Sequence, residues 1–179
     1  MKEKGGDCMI FTNETNYNQK TMASLAHALR LTLRKKRNKR THIVGWIVLV
    51  LAALLLAGNG FIFSFQSVIT VLAMLIMVVT LLWEDHINGY IARKRLLKGL
   101  NKSVTTFRED GYETITAVGK TQWTYEVIGE IVEMKECFVF IFDRSHGQVY
   151  DKAGFTEGTV EEFRSFIEGK TKKEVKTIK

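Results

Sequence analysis

Apolar residues are unevenly distributed along this chain. From Ile43 to Trp83 about 41 positions pass without a charged side chain. As one continuous helix such a stretch would run roughly 60 Å, twice the ~30 Å core of a bilayer. Gly58-Asn59-Gly60 interrupts it with a strong turn signal, leaving roughly 16 apolar residues before the break and 23 after it. The pattern therefore predicts a hairpin of two transmembrane helices, 42–58 and 61–83. The first is short enough to draw on His42 and the turn residues. Trp46 and Trp83 fall near one interface, at opposite ends of the hairpin, where indoles are favoured.

Different periods govern the flanks. Met22, Leu25, Ala26, Leu29 and Leu33 recur at helical spacing and predict an amphipathic, basic helix over 16–41, preceded by a disordered N-terminus, 1–15. Its stripe must be covered by the membrane surface, by the rest of the chain or by a second copy. A juxtamembrane helix is expected over 84–102. From Ser103 onward the period becomes that of strands: Val104 to Glu109, a turn at Asp110-Gly111, Tyr112 to Val118, a turn at Gly119-Lys120, then Thr121 to Tyr125 with Trp123 inward. Glu136 to Asp143 is apolar on both faces and should be the most buried strand. Ser145-His146-Gly147 turns the chain into a short strand, Gln148 to Asp151. A closing helix begins at Thr159, whose hydroxyl with Glu162 forms a capping box; it buries Val160, Phe163, Phe166 and Ile167 and ends at Gly169. This gives a mainly antiparallel β domain over 103–169 and a disordered basic tail, 170–179.

Charge sharpens this picture. The net charge of +7 suggests nucleic acid, yet 14 of the 26 Lys and Arg residues and only 5 of the 19 acids lie through Lys98, leaving the remainder near −2. The excess flanks the apolar segment in two runs, one made by Arg34, Lys35, Lys36, Arg37, Lys39 and Arg40, the other by Arg93, Lys94 and Arg95. The turn between the spans has none. This is the positive-inside signature, so both termini are expected in the cytoplasm of a multi-pass cell-membrane protein, with no nucleic-acid partner. The same nine cations are candidate contacts for anionic lipids. The first strongly apolar run is too deep for a cleaved leader. Lys4-Gly5-Gly6-Asp7 can be encoded as a ribosome-binding sequence, which makes Met9 the expected start of translation.

The chemistry-bearing residues form no catalytic or metal-binding set. Cys8 and Cys137 are far apart and lack metal-ligand spacing, which suits a reducing compartment. Neither an enzymatic activity nor a cofactor is expected. Ser145 and His146 are adjacent in a turn, a poor arrangement for nucleophile and base. His27 and His42 are read as surface or interface residues. Inside the spans Gln66, Ser67 and Thr70 are candidates for helix-to-helix hydrogen bonds, and no ionisable group suggests permeation.

Several short segments resemble one known family. Thr106-Phe107-Arg108-Glu109-Asp110-Gly111, Trp123 ahead of Val127-Ile128-Gly129-Glu130-Ile131-Val132-Glu133, Phe140-Ile141-Phe142, and Phe155 to Gly158 leading into Glu162-Phe163 are similar to the YcxB-like proteins of Gram-positive bacteria. The resemblance implies an α+β membrane protein whose C-terminal domain is a small PH-like β domain closed by one helix, of undefined biochemical role. It makes Phe107, Gly111, Trp123, Lys152, Phe155 and Phe163 structural landmarks. The family commonly carries Pro-Lys-Arg before the Phe; here Asp151-Lys152-Ala153 retains only the Lys.

The expected function is thus a membrane-anchored interaction module that binds a protein, a second copy or lipid headgroups at the inner leaflet. The competing expectation is an accessory or regulatory subunit of a membrane transporter, docking through Gln66, Ser67 and Thr70.

Overall fold

The structure, a computed structural model, describes residues 10–58, 64–143 and 146–178. The proposed start at Met9, Cys8, the turn at Asn59-Gly60, the opening of the second span at 61–63 and Ser145 lie outside the described residues.

Its first element is a strand, β1 (Phe11–Asn16), where disorder was expected. Four helices follow: α1 (Gln19–Leu31), α2 (Lys35–Gly58), α3 (Phe65–Leu82) and α4 (Glu84–Arg95). Then come β2 (Lys102–Phe107), β3 (Tyr112–Thr116) and β4 (Gly119–Trp123). After a short 3-10 turn the chain forms β5 (Glu130–Glu133), β6 (Cys137–Ile141), β7 (Gly147–Asp151) and β8 (Phe155–Glu157). It closes with α5 (Val160–Thr171) and β9 (Val175–Thr177).

The strands form two sheets, ordered β4-β3-β2-β1-β8 and β7-β6-β5-β9. β1 pairs antiparallel with β2, from Phe11 opposite Phe107 to Asn16 opposite Lys102. All four helices α1 to α4 are therefore inserted between two neighbouring strands of one sheet. β1 escapes a pattern reading because two of its three buried positions, Asn13 and Thr15, are polar. Their cost of burial is met by hydrogen bonds: Asn13 Nδ2 donates to the Asp151 carbonyl (2.7 Å), Thr15 Oγ1 donates to Asn13 Oδ1 (2.7 Å) and accepts from the Asp151 N–H (3.2 Å). The expected disordered tail is also corrected. β9 runs parallel to β5, with Val175 buried opposite Ile131, and the Ile178 N–H donates to the Glu133 carbonyl at 2.9 Å.

Two apolar clusters hold the domain. One surrounds α5: the Phe163 ring, fully buried, lies 4.7 Å from the Phe107 and Phe155 rings, 5.4 Å from Phe138 and 5.5 Å from Phe11. The capping box forms as read, the Thr159 hydroxyl accepting from the Glu162 N–H. The helix passes Gly169, however, and ends at Lys172 in the left-handed region (φ 53°), where the chain reverses into β9. The other cluster lies where Ala28 and Leu29 of α1 pack on Val132, Val139, Ile141 and Val149. With α1 on one face and the aromatic cluster on the other, all five residues of β6 are buried, as its sequence predicts.

The α1 stripe is thereby answered: the domain covers it. The expected single helix 16–41 breaks instead at 32–34. Thr32 caps α1, its N–H and hydroxyl both donating to the Ala28 carbonyl, and the basic run passes to α2. Likewise the expected helix 84–102 stops at Arg95. α4 packs tightly on α1; a Cβ at Gly89 would lie 2.6 Å from the Ala23 nitrogen.

α2 and α3 form an antiparallel helical hairpin, with Gly45 against Leu81. Both are long and apolar enough to cross a membrane, with mean hydropathy 2.2 and 2.4 over their most apolar windows. Only Leu49 is buried in α2, and no residue of α3 is. At Trp83 the chain bends from α3 into α4.

Candidate functional site

The described residues bring polar side chains together at the base of the hairpin, where α1, α2 and α4 meet. Asp85 lies in the first turn of α4, the end of a helix that favours an acid. Arg30 reaches it with two parallel hydrogen bonds, Nε to Oδ1 at 2.7 Å and Nη2 to Oδ2, the fork geometry that makes guanidinium-carboxylate pairs strong. His27 Nδ1 lies 2.6 Å from Oδ2. Burial pushes the Asp85 carboxyl up, but hydrogen bonds from Arg30 and His27, with their charges, outweigh it and hold the group below its ordinary range.

Arg30 also ties in α2. With the Asn38 amide turned to suit its neighbours, its oxygen accepts from Arg30 Nη1 at 3.1 Å and its nitrogen donates to Glu84 at 2.9 Å. His42 Nε2 is 3.0 Å from Glu84 Oε2. Two acids, an arginine, two histidines and an amide thus fasten the hairpin to the helix that backs the domain. His27 and His42 are interface residues, as read. The network itself escapes a sequence reading: Glu84 and Asp85 are visible as acids closing an apolar run, but their partners lie 42 to 58 positions earlier.

The nine predicted lipid-contact cations divide. Arg34 lies in the α1–α2 turn, and Lys35, Lys36, Arg37, Lys39 and Arg40 occupy the first turns of α2, beside the hairpin base. No acid balances them in that first turn. Cations at a helix N-terminus oppose the macrodipole, each costing about 0.3–1 kcal/mol when nothing anionic is near. Arg93, Lys94 and Arg95 sit instead in the last turn of α4, the favourable end, roughly 15 Å along the helix from Trp83.

Gln66, Ser67 and Thr70 occupy the start of α3, at the end of the hairpin remote from the domain. Ser64 caps the helix by accepting from the Ser67 N–H (3.2 Å), and Thr70 Oγ1 donates to the Gln66 carbonyl (2.9 Å).

The domain landmarks make packing and ion-pair contacts within the domain. Phe107 is fully buried against Tyr112, Tyr150 and Phe163. Gly111 permits close approach, since a Cβ there would lie 2.5 Å from the Trp123 carbonyl oxygen. Trp123 stacks on Phe142 at 5.1 Å, and Phe155 packs on Phe163. Lys152 donates to Glu133 Oε1 at 2.6 Å and lies over the Phe138 ring, while Arg164 reaches the other oxygen of Glu133. Its charge is committed to a carboxylate of the same domain. Cys137 is a buried thiol, pushed up to about 11 by desolvation.

These features define a class: an α+β protein in which two exposed apolar helices interrupt a two-sheet domain. Residues 107–167, from β2 to α5, match the family model described as YcxB-like protein. Comparison with curated proteins finds no match, and comparison with solved structures finds none either.

Proposed function

We propose that the protein is a membrane-anchored interaction module of the cell membrane. In this reading α2 and α3 cross the bilayer, both termini face the cytoplasm, and the domain stands at the inner leaflet as a non-enzymatic binding platform. One observation carries it: the apolar side chains of α2 and α3 face outward over nearly their whole length. Such a surface far exceeds the few hundred Å² that soluble monomers expose. Lipid is the medium that relieves it. The cations opening α2 fit the same reading, because anionic headgroups would offset their repulsion from one another and from the positive end of the helix. The domain's two sheets, closed by the single helix α5, support a PH-like architecture whose ligand is a protein, a second copy or a lipid headgroup. The hydroxyls of Ser67 and Thr70 have partners within α3, so they give no independent support to docking on a transporter.

Cysteine labelling in intact cells tests the topology, in a background where Cys8 and Cys137 are replaced by Ser. Ser64→Cys should react with an impermeant maleimide from outside, and Lys98→Cys only after lysis. The reverse pattern, or recovery of the protein in the soluble fraction, overturns the reading.

A further inference from the structure

Three surfaces present polar groups beside apolar ones: the corner around Lys152, the end of the domain carrying Val127 and Lys173, and the groove along α1. Lys152 is committed to Glu133. Lys173 donates to the Ile128 carbonyl and Lys170 pairs with Glu109, so that end is largely self-satisfied. The groove is not.

We propose that this groove, between α4 and the β5–β6 turn, holds the phosphate-bearing headgroup of an anionic membrane lipid. The assignment rests on α2 and α3 spanning the bilayer. The groove is shallow and open, with about 750 Å³ of space along its floor, room for a headgroup held at the surface. Depth indicates its occupant. One end is walled by Leu82, the last residue of the apolar helix α3, so the groove opens where the hydrocarbon ends. His86 lies in the first turn of α4, just past the bend at Trp83, so the polar wall of the groove begins where the apolar helix stops. Ala23, Leu82 and Met134 supply apolar wall for the glycerol and first acyl carbons.

The polar lining suits an anion. Its single carboxylate, Asp85, is already answered by Arg30 and His27. What remains toward the groove is the imidazole of His86, the amide of Gln19, the hydroxyl of Ser24 and the ammonium of Lys20. Lys20 lies two turns along α1 from His27, and its four-carbon stem allows the charge to reach back toward the leaflet. It pairs with Glu136, but both side chains are more than half exposed (70% and 52%). An exposed pair of this kind contributes little, so exchanging Glu136 for phosphate costs little.

The experiment uses the full chain in nanodiscs of mixed phosphatidylglycerol and phosphatidylcholine, followed by extraction into mild detergent and native mass spectrometry. One phosphatidylglycerol should stay on each chain. Lys20→Glu with His86→Glu should lower its retention about tenfold, a loss of about 1.4 kcal/mol. Lys20→Arg should keep it, as should Lys120→Ser, on a strand remote from the groove. An unchanged melting transition in the double variant excludes misfolding as the cause. Inserted protein that retains no lipid overturns the proposal. So does retention that survives charge reversal, equal retention of phosphatidylcholine, or a polypeptide found in place of lipid. Failure of the chain to enter nanodiscs would overturn the membrane reading on its own.

Discussion

Leu51 on α2 and Phe163 on α5 are both large apolar residues in helices, yet the first is 54% exposed and the second fully buried. The contrast runs through the two regions. In the domain, apolar residues turn inward and meet one another as interlocked rings; on α2 and α3 they turn outward and meet almost nothing. Burial of a large side chain stabilises by about 1.5–3 kcal/mol, and only the domain gains this within the chain. The hairpin must gain it from its surroundings. Identical side-chain chemistry therefore builds a packed core in one region and an outward apolar surface in the other.

Substitutions can sharpen this comparison. The largest effect is expected for Phe163→Ala, which empties the meeting point of five aromatic rings and should cost the domain about 3–5 kcal/mol in a urea melt. Insertion of the hairpin should be untouched. The reverse is expected of Leu51→Asp: a charge near the middle of the span costs about 2.5–3.5 kcal/mol of insertion and should reduce the membrane-bound fraction. Ile115 provides the control. It is equally exposed (49%) but sits on the outer face of β3 opposite Lys120, so Ile115→Asp should change stability by no more than about 1 kcal/mol. Equal effects at 51 and 115 would erase the distinction between the regions.

The junction should respond to acid. Asp85 is ionised at neutral pH with its carboxyl below the ordinary value despite its burial, so the unfolded chain binds its proton more tightly than the folded one. The stability this contributes is complete above the unfolded value of 3.8 and declines as pH falls through the lowered, folded one. Amide exchange in α1 and α4 should accordingly quicken in strong acid. Asp85→Asn should cost about 1–2 kcal/mol at neutral pH and remove that part of the acid response.

What could be read from the sequence follows the same division. The apolar helices, β2 to β4, the fully apolar β6 and the cap at Thr159 announce themselves because their signals are local: a long uncharged run, alternation around Asp110-Gly111, a hydroxyl three residues before Glu162. β1 and β9 do not, because their stability is borrowed. Phe11 is the only apolar residue in β1, whose polar groups are satisfied by Asp151, about 138 positions away. β9 contributes one buried side chain, Val175, to a parallel pairing that no turn signals. The hairpin-base network is equally non-local. Arg30 looks like one more cation in a basic segment until α4 brings Asp85 to it.

The position of β1 sets a timetable for biosynthesis. β1 leaves the ribosome some 85 residues ahead of β2, its partner for six consecutive residue pairs. At ~5–20 residues per second the wait is roughly 4–17 s, during which the two apolar helices emerge. Until β2 arrives, β1 has no edge on which to form. The first sheet can be completed only after the hairpin has been made and its ends brought together, so a nascent chain with a mishandled hairpin would also expose an unfinished sheet, marking it for the cell's proteases.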